Sequence, residues 1–174
     1  MLQYVISSLR LFFNRVLLIR HPDLGKVREP SILVGSHTIS ERGETLNAQI
    51  ARMFLSGVLP ERIENALKNL FPDFVLKIEL TSDGRVFPSV RDRLYGAKIH
   101  SPSLPDGFYK VLHILTALES KPSILCIDEI ENSLHSEILE YVVNELKNSG
   151  VQCLIATHSP VVVDVAGLEN LLLV

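Results

Sequence analysis

Two short apolar runs in the last third of the chain each end in residues that can do chemistry. Ile124-Leu-Cys-Ile127 passes directly into Asp128-Glu129, and Val151-Gln-Cys-Leu-Ile-Ala156 passes into Thr157-His158-Ser159. A carboxylate at the end of a buried strand, where Asp128 stands, can hold a magnesium ion directly or through its waters, as nucleotide-hydrolysing sites require. Glu129, on the other side of the strand end, can accept a proton from, or orient, a water that attacks a terminal phosphate. His158 can donate a hydrogen bond to that phosphate as negative charge builds on it. An Asp-Glu pair after an apolar run is compatible with ordinary strand-end solvation, but a histidine loop one strand later favours a site.

These residues need elements to position them. Each apolar run is short and continuous, as expected of a strand buried on both faces. A helix predicted from about His135 to Asn148, closed by Gly150, separates them, and another from about Gly107 to Leu118 carries Val111, Leu112, Leu115 and Leu118 on one face. Strand, helix, strand, helix in this order implies a parallel sheet with crossover helices, whose ligands bind beyond the carboxyl ends of the strands. Ser159-Pro160 starts the next helix, and Asn170 to Val174 reads as one more strand. Residues 1–100 have a different, α+β grammar, distinct from the lobe over 101–174. Residues 20–43 read as irregular connections around one short strand. Leu46, Ile50 and Phe54 mark a helix over Glu44–Leu55, and Pro60 opens a second that ends before Pro72. Phe74–Leu80 and Val86-Phe87, joined through Asp83-Gly84, form a predicted β-hairpin.

As a set, these motifs resemble the ABC-type, AAA-like ATPases of the RecF, SMC and overcoming-lysogenization-defect group. Ile124-Leu-Cys-Ile-Asp-Glu129 resembles a Walker B strand with its catalytic glutamate. Ile130-Glu-Asn-Ser-Leu-His135 resembles the D-loop, and Ala156-Thr-His-Ser-Pro160 the switch-histidine loop. Upstream, Leu104-Pro-Asp-Gly-Phe-Tyr-Lys110 resembles the group's signature, Leu-Ser-Asp-Gly-Thr followed by a basic position. The resemblance covers about residues 100–160 and implies a P-loop NTPase-like fold that hydrolyses ATP with Mg2+. Asp128 would then be the metal ligand, and Glu129 and His158 the catalytic residues. Asp106, Gly107, Lys110, Glu131 and Asn132 would face the nucleotide, with Glu131 also open to capping the following helix or meeting a second subunit.

Two positions depart from the pattern. Pro105 stands where the signature serine would reach the phosphate of an opposite subunit, and it has neither hydroxyl nor backbone N–H. The backbone groups of Asp106 and Gly107 can still face an anion, although a plain helix start fits them equally. No Gly-x-x-x-x-Gly-Lys-Ser/Thr occurs; Gly25-Lys26 has Arg20 and Val27 where the first glycine and the hydroxyl belong. Without P-loop amides and lysine the β- and γ-phosphates lose most of their cradle. The chain is therefore expected to be the C-terminal portion of such an ATPase, active only beside a P-loop-bearing lobe or subunit. Two other readings stay open: a metal hydrolase using Asp128, Glu129, Glu131, His135 and His158 without nucleotide, and a non-catalytic interaction module.

A net charge of −3 with scattered basic residues gives no footprint for nucleic acid, which enters by family resemblance alone. With 47% apolar residues the chain can fill a core. Cys126 and Cys153, each inside an apolar run, are expected to be reduced and buried, as in a cytoplasmic protein. The apolar N-terminus is broken by Arg10, Asn14 and Arg15, and no run approaches the roughly 20 residues of a membrane span. Leu2, Val5, Ile6, Leu9, Phe12, Phe13, Val16 and Leu17 fall on one helical stripe, which must dock on something, so self-association is expected. His21, His37, His100 and His113 have no predicted partners.

Overall fold

The computed structural model describes residues 2–33, 35, 38–57 and 59–173; His37 lies outside them, as does the side chain of Leu2. Helix α1 (Leu2–Phe13) leads into strand β1 (Val16–Ile19), a one-turn helix α2 (Leu24–Val27) and β2 (Ser31–Ile32). Helices α3 (Leu46–Leu55) and α4 (Glu61–Leu70) and strands β3 (Phe74–Leu80), β4 (Arg85–Asp92) and β5 (Lys98–Ile99) follow. The chain then runs through α5 (Asp106–Glu119), β6 (Ile124–Ile127), α6 (Ser136–Lys147), β7 (Cys153–Ile155) and α7 (Pro160–Ala166).

Two sheets result. One is parallel, in the order β1-β6-β7, and the other antiparallel, in the order β2-β4-β3 with β5 also on β4. The fold is therefore α/β, with a parallel sheet and crossover helices, as the apolar runs imply. The parallel sheet draws one strand from the first hundred residues. Val16 and Leu17 leave the helical stripe and pair with Ile124 and Leu125, because Asn14-Arg15 ends the helix and a four-residue apolar run then finds a strand partner. The turn between them is tied down: Ser123 N donates to Arg15 O at 3.0 Å and Ser123 Oγ to Phe12 O at 2.6 Å.

Helix α5 is the centre of the molecule. The pattern predicts one apolar face, yet every residue from Gly107 to Leu118 is buried, because both sheets and α4 close around it. Phe108 meets Phe71 at 5.3 Å and Phe74 at 6.0 Å between ring centroids, locking the antiparallel sheet and the end of α4 to it. Arg62 on α4 pairs with Glu119 at 2.8 Å and with Glu145 at 3.0 Å, joining three helices. The buried polar residues of α5, Lys110, His113 and Thr116, recur every third position; Lys110 and His113 reach backbone carbonyls, whereas Thr116 Oγ1 is buried without a partner among the described residues. His113 Nε2 lies 2.8 Å from Ser40 O, and burial pushes its imidazole down to about 4.

Two other expectations are corrected. Leu171 to Leu173 form no strand; a 3-10 turn at Leu168–Asn170 precedes them, and Leu173 is 98% exposed. Cys126 and Cys153 are free thiols but half-buried. The described side chains of the α1 stripe, expected to dock on a partner, are exposed within the chain, Phe13 to 65% and Ile6 to 56%. Among the described residues no helix is long and apolar enough to cross a membrane.

Candidate functional site

Strands β1 and β6 end level with one another, Ile19 beside Ile127. The next residues, Arg20 and Asp128, therefore meet. Asp128 N donates to Ile19 O at 3.0 Å, and Arg20 Nε stands 4.0 Å from Asp128 Oδ2 while its Nη1 pairs with Glu41 Oε1 at 3.0 Å. These side chains are about half exposed, so the pairs set placement more than stability. On the other flank, Ala156 N donates to Ile127 O at 2.9 Å, closing the sheet just before Thr157-His158-Ser159. The two chemistry-bearing strand ends of the sequence thus lie side by side.

Glu129 turns the chain away from the sheet with φ +46°, a left-handed conformation unusual for a residue with a side chain. Its environment holds it there. Asn132 N donates to its carbonyl at 3.1 Å, Asn132 Nδ2 to its carboxylate at 2.6 Å, and Lys110 Nζ reaches the same carbonyl at 3.5 Å. Lys110 is fully buried. Burial pushes its ammonium down to about 8, against the pull of Glu131, Asp128 and Glu129.

Glu131 faces the next strand end. Its Oε2 accepts from Thr157 Oγ1 at 2.8 Å and its Oε1 from His158 N at 2.7 Å. Burial pushes this carboxyl up, but the His158 N–H, further backbone donation and the Thr157 hydroxyl outweigh it and hold it below its ordinary value. The His158 side chain is exposed. Asp106, at the start of α5, accepts from Arg28 Nη2 at 2.6 Å, and the same guanidinium donates to Leu104 O at 3.2 Å. Pro105 caps the helix in extended conformation, without a side-chain bond.

Gly107 has a packing role of its own. A Cβ there would stand 2.7 Å from Ser133 O, in the turn after Glu129. Because the obstacle is backbone, Gly107→Ala is expected to destabilise the chain by about 1–2 kcal/mol, the overpacking cost exceeding alanine's helix preference. Thermal melts check this; a variant as stable as the parent would mean that the turn yields freely.

A cavity of about 260 Å³ opens at the ends of β1 and β6, lined by Arg20, His21 and Arg42 on one side and Asp128 and Glu129 on the other. A larger open groove of about 480 Å³, between α6 and α7, includes Glu140 and Asp164 but no candidate residue. The donor set suits Mg2+ better than a soft or fully caged ion. Among the described residues no three His, Cys, Asp or Glu groups converge; Asp128 is a hard carboxylate beside Arg20 and Glu129, and Mg2+ bound to one such carboxylate would complete its shell with water and phosphate oxygens. The five-residue metal centre of the alternative reading does not assemble; Glu131 is spent on Thr157 and His158, and His135 precedes α6.

Asp128, Glu129, Glu131, Asn132, Lys110 and His158 therefore share one region, with Gly107 under its turn and Asp106 held aside by Arg28. Sequence reasoning missed Arg20, Arg28 and Thr157. Arg20 had a usable signal, since it follows an apolar run as Asp128 does; Arg28 had none.

No curated protein matches the chain. A family model described as "AAA domain, putative AbiEii toxin, Type IV TA system" matches residues 18–164, a span that includes every candidate site residue. The chain belongs to this family of AAA domains, P-loop NTPase-like modules with an ATPase-type, nucleotide-binding function.

Proposed function

We propose that the chain is the hydrolytic half of a composite ATP site of the RecF, SMC and overcoming-lysogenization-defect type, completed by a P-loop-bearing lobe or subunit. The observation that carries this reading is the pair Asp128-Glu129 at the end of β6, flanked on the adjacent parallel strand by His158. Asp128 holds Mg2+, directly or through water. The ion, when bound, neutralises phosphate charge. Glu129 accepts a proton from the attacking water, and His158 donates to the terminal phosphate. Asp106, Gly107, Lys110, Glu131 and Asn132 border the nucleotide or shape the turn that does.

No Gly-x-x-x-x-Gly-Lys-Ser/Thr stands in these 174 residues, so the phosphate cradle must come from elsewhere. The open edge of β7 and the exposed apolar side chains of α1 favour such association, including self-association. Magnesium and ATP titrations test the reading, first on the chain alone and then with a P-loop-bearing partner lobe. Turnover is expected near background alone and well above it in the pair. Full turnover by the chain alone, or none in a pair that binds ATP, would overturn it.

A further inference from the structure

Ala156, the residue after β7, still donates its N–H to Ile127 O at the end of β6, at 2.9 Å. Beyond it the loop of Thr157, His158 and Ser159 has left the ladder, and its backbone donors need acceptors from elsewhere. Ser159 N is met locally by Thr157 Oγ1 at 3.0 Å. That hydroxyl donates in turn to Glu131 Oε2 at 2.8 Å, and His158 N donates to Glu131 Oε1 at 2.7 Å. One carboxylate, 26 and 27 residues away in sequence, thus takes up both donors at the root of the loop. Each of its oxygens accepts one of these bonds, which orients the carboxylate toward the loop.

The other end of the link is rigid too. Glu131 sits in the turn that starts at the left-handed Glu129 and continues through Ser133, whose carbonyl closes on Gly107 of α5. A loop attached there inherits the position of the buried core.

We infer that Glu131 is a positioning residue: its carboxylate fastens the His158 loop to the turn after Glu129, so that the imidazole and the Glu129 carboxylate keep a fixed relation. The inference rests on the proposed ATPase reading for its consequence in catalysis, but the fastening itself is a property of this chain. Charge-assisted bonds to a carboxylate are stronger than neutral ones. Losing two of them should free the loop while leaving the sheet in place.

The test is amide hydrogen exchange and NMR on the chain itself, comparing the parent with Glu131→Gln and Glu131→Ala. Exchange at His158 N is expected to quicken at least about tenfold in Glu131→Ala, with Ile127 N in the sheet unchanged as the internal control. In the parent, the His158 amide resonance should shift as pH falls through the range in which the Glu131 carboxyl protonates, and this titration should vanish in Glu131→Gln. An unchanged His158 amide in both variants would overturn the inference, as would equal acceleration at His158 and Ile127, which would mean general loosening.

In an assembly with a P-loop-bearing lobe, Glu131→Ala should lower kcat about tenfold or more with the KM for ATP nearly unchanged, and it should add little to His158→Ala, because it acts through the same imidazole. Full additivity of the two substitutions would also overturn the positioning role. If the assembly has no ATPase activity at all, the functional reading fails while the exchange and titration results still decide whether Glu131 holds the loop.

Discussion

Glu129→Gln, in an assembly that supplies the P-loop, is expected to keep ATP binding and to slow hydrolysis by about a hundredfold or more, the usual effect of losing a general base. The substitution is a clean one here. Glutamine retains an acceptor for the 2.6 Å bond from Asn132 Nδ2, and the two bonds that hold the left-handed backbone, from Asn132 N and Lys110 Nζ, go to the carbonyl and not to the side chain. The turn should therefore survive. What is lost is the ability to take a proton. Single-turnover hydrolysis measured beside nucleotide binding separates the two effects. Turnover close to the parent's would remove Glu129 from the role of base, leaving it as a residue that shapes the turn.

The parts of this fold that the sequence made legible are those whose signal is local. Strands β6 and β7 are short apolar runs closed by polar residues, and α6 lies between a loop and Gly150; all three stand within a residue or two of their expected ends. Strand β1 was hidden because Val16 and Leu17 continue the helical spacing of α1 by coincidence, and only a neighbour 108 positions away, Ile124 for Val16, makes a strand of them. The hairpin was read two residues long on its second arm because Pro88 interrupts the pattern, whereas β4 runs from Arg85 to Asp92. Proline is accepted there because β2 pairs with Val86 and Arg85, and β5 with Val90 and Arg91, leaving Pro88 between them on that side of β4.

At the site the same division holds. Residue types at strand ends were legible, and their partners were not. Arg28 reaches Asp106 across 78 positions and Thr157 reaches Glu131 across 26, distances over which no spacing rule operates. The basic position at Lys110 drew the expectation of a nucleotide contact. Full burial of α5, which no single apolar face announces, turns that side chain inward to the Glu129 carbonyl.

Lys110→Met is therefore expected to separate stability from function. An ammonium with no exposed surface, bonded only at 3.5 Å, is poorly compensated, and its pKa falls from 10.5 to about 8. The sign follows from proton binding. Between pH 8 and 10.5 the unfolded chain holds the proton that the folded chain has lost, so this lysine makes the parent more stable as pH rises through that window. Below pH 8 its full cost, on the order of 3 kcal/mol, is present. Methionine is similar in length, carries no charge and suits an irregular buried space. The variant should thus be as stable as the parent or more so at pH 7, and its advantage should shrink as pH approaches 10.5, measured as the difference between paired denaturant titrations. In the complemented assembly it should nonetheless lose turnover, because the left-handed Glu129 backbone loses a donor and the three carboxylates of residues 128, 129 and 131 lose the cation beneath them. A variant less stable than the parent at pH 7 by more than about 1 kcal/mol would show that attraction to those carboxylates outweighs burial. Lys110 would then be a structural counter-ion, and its retention would need no functional reason.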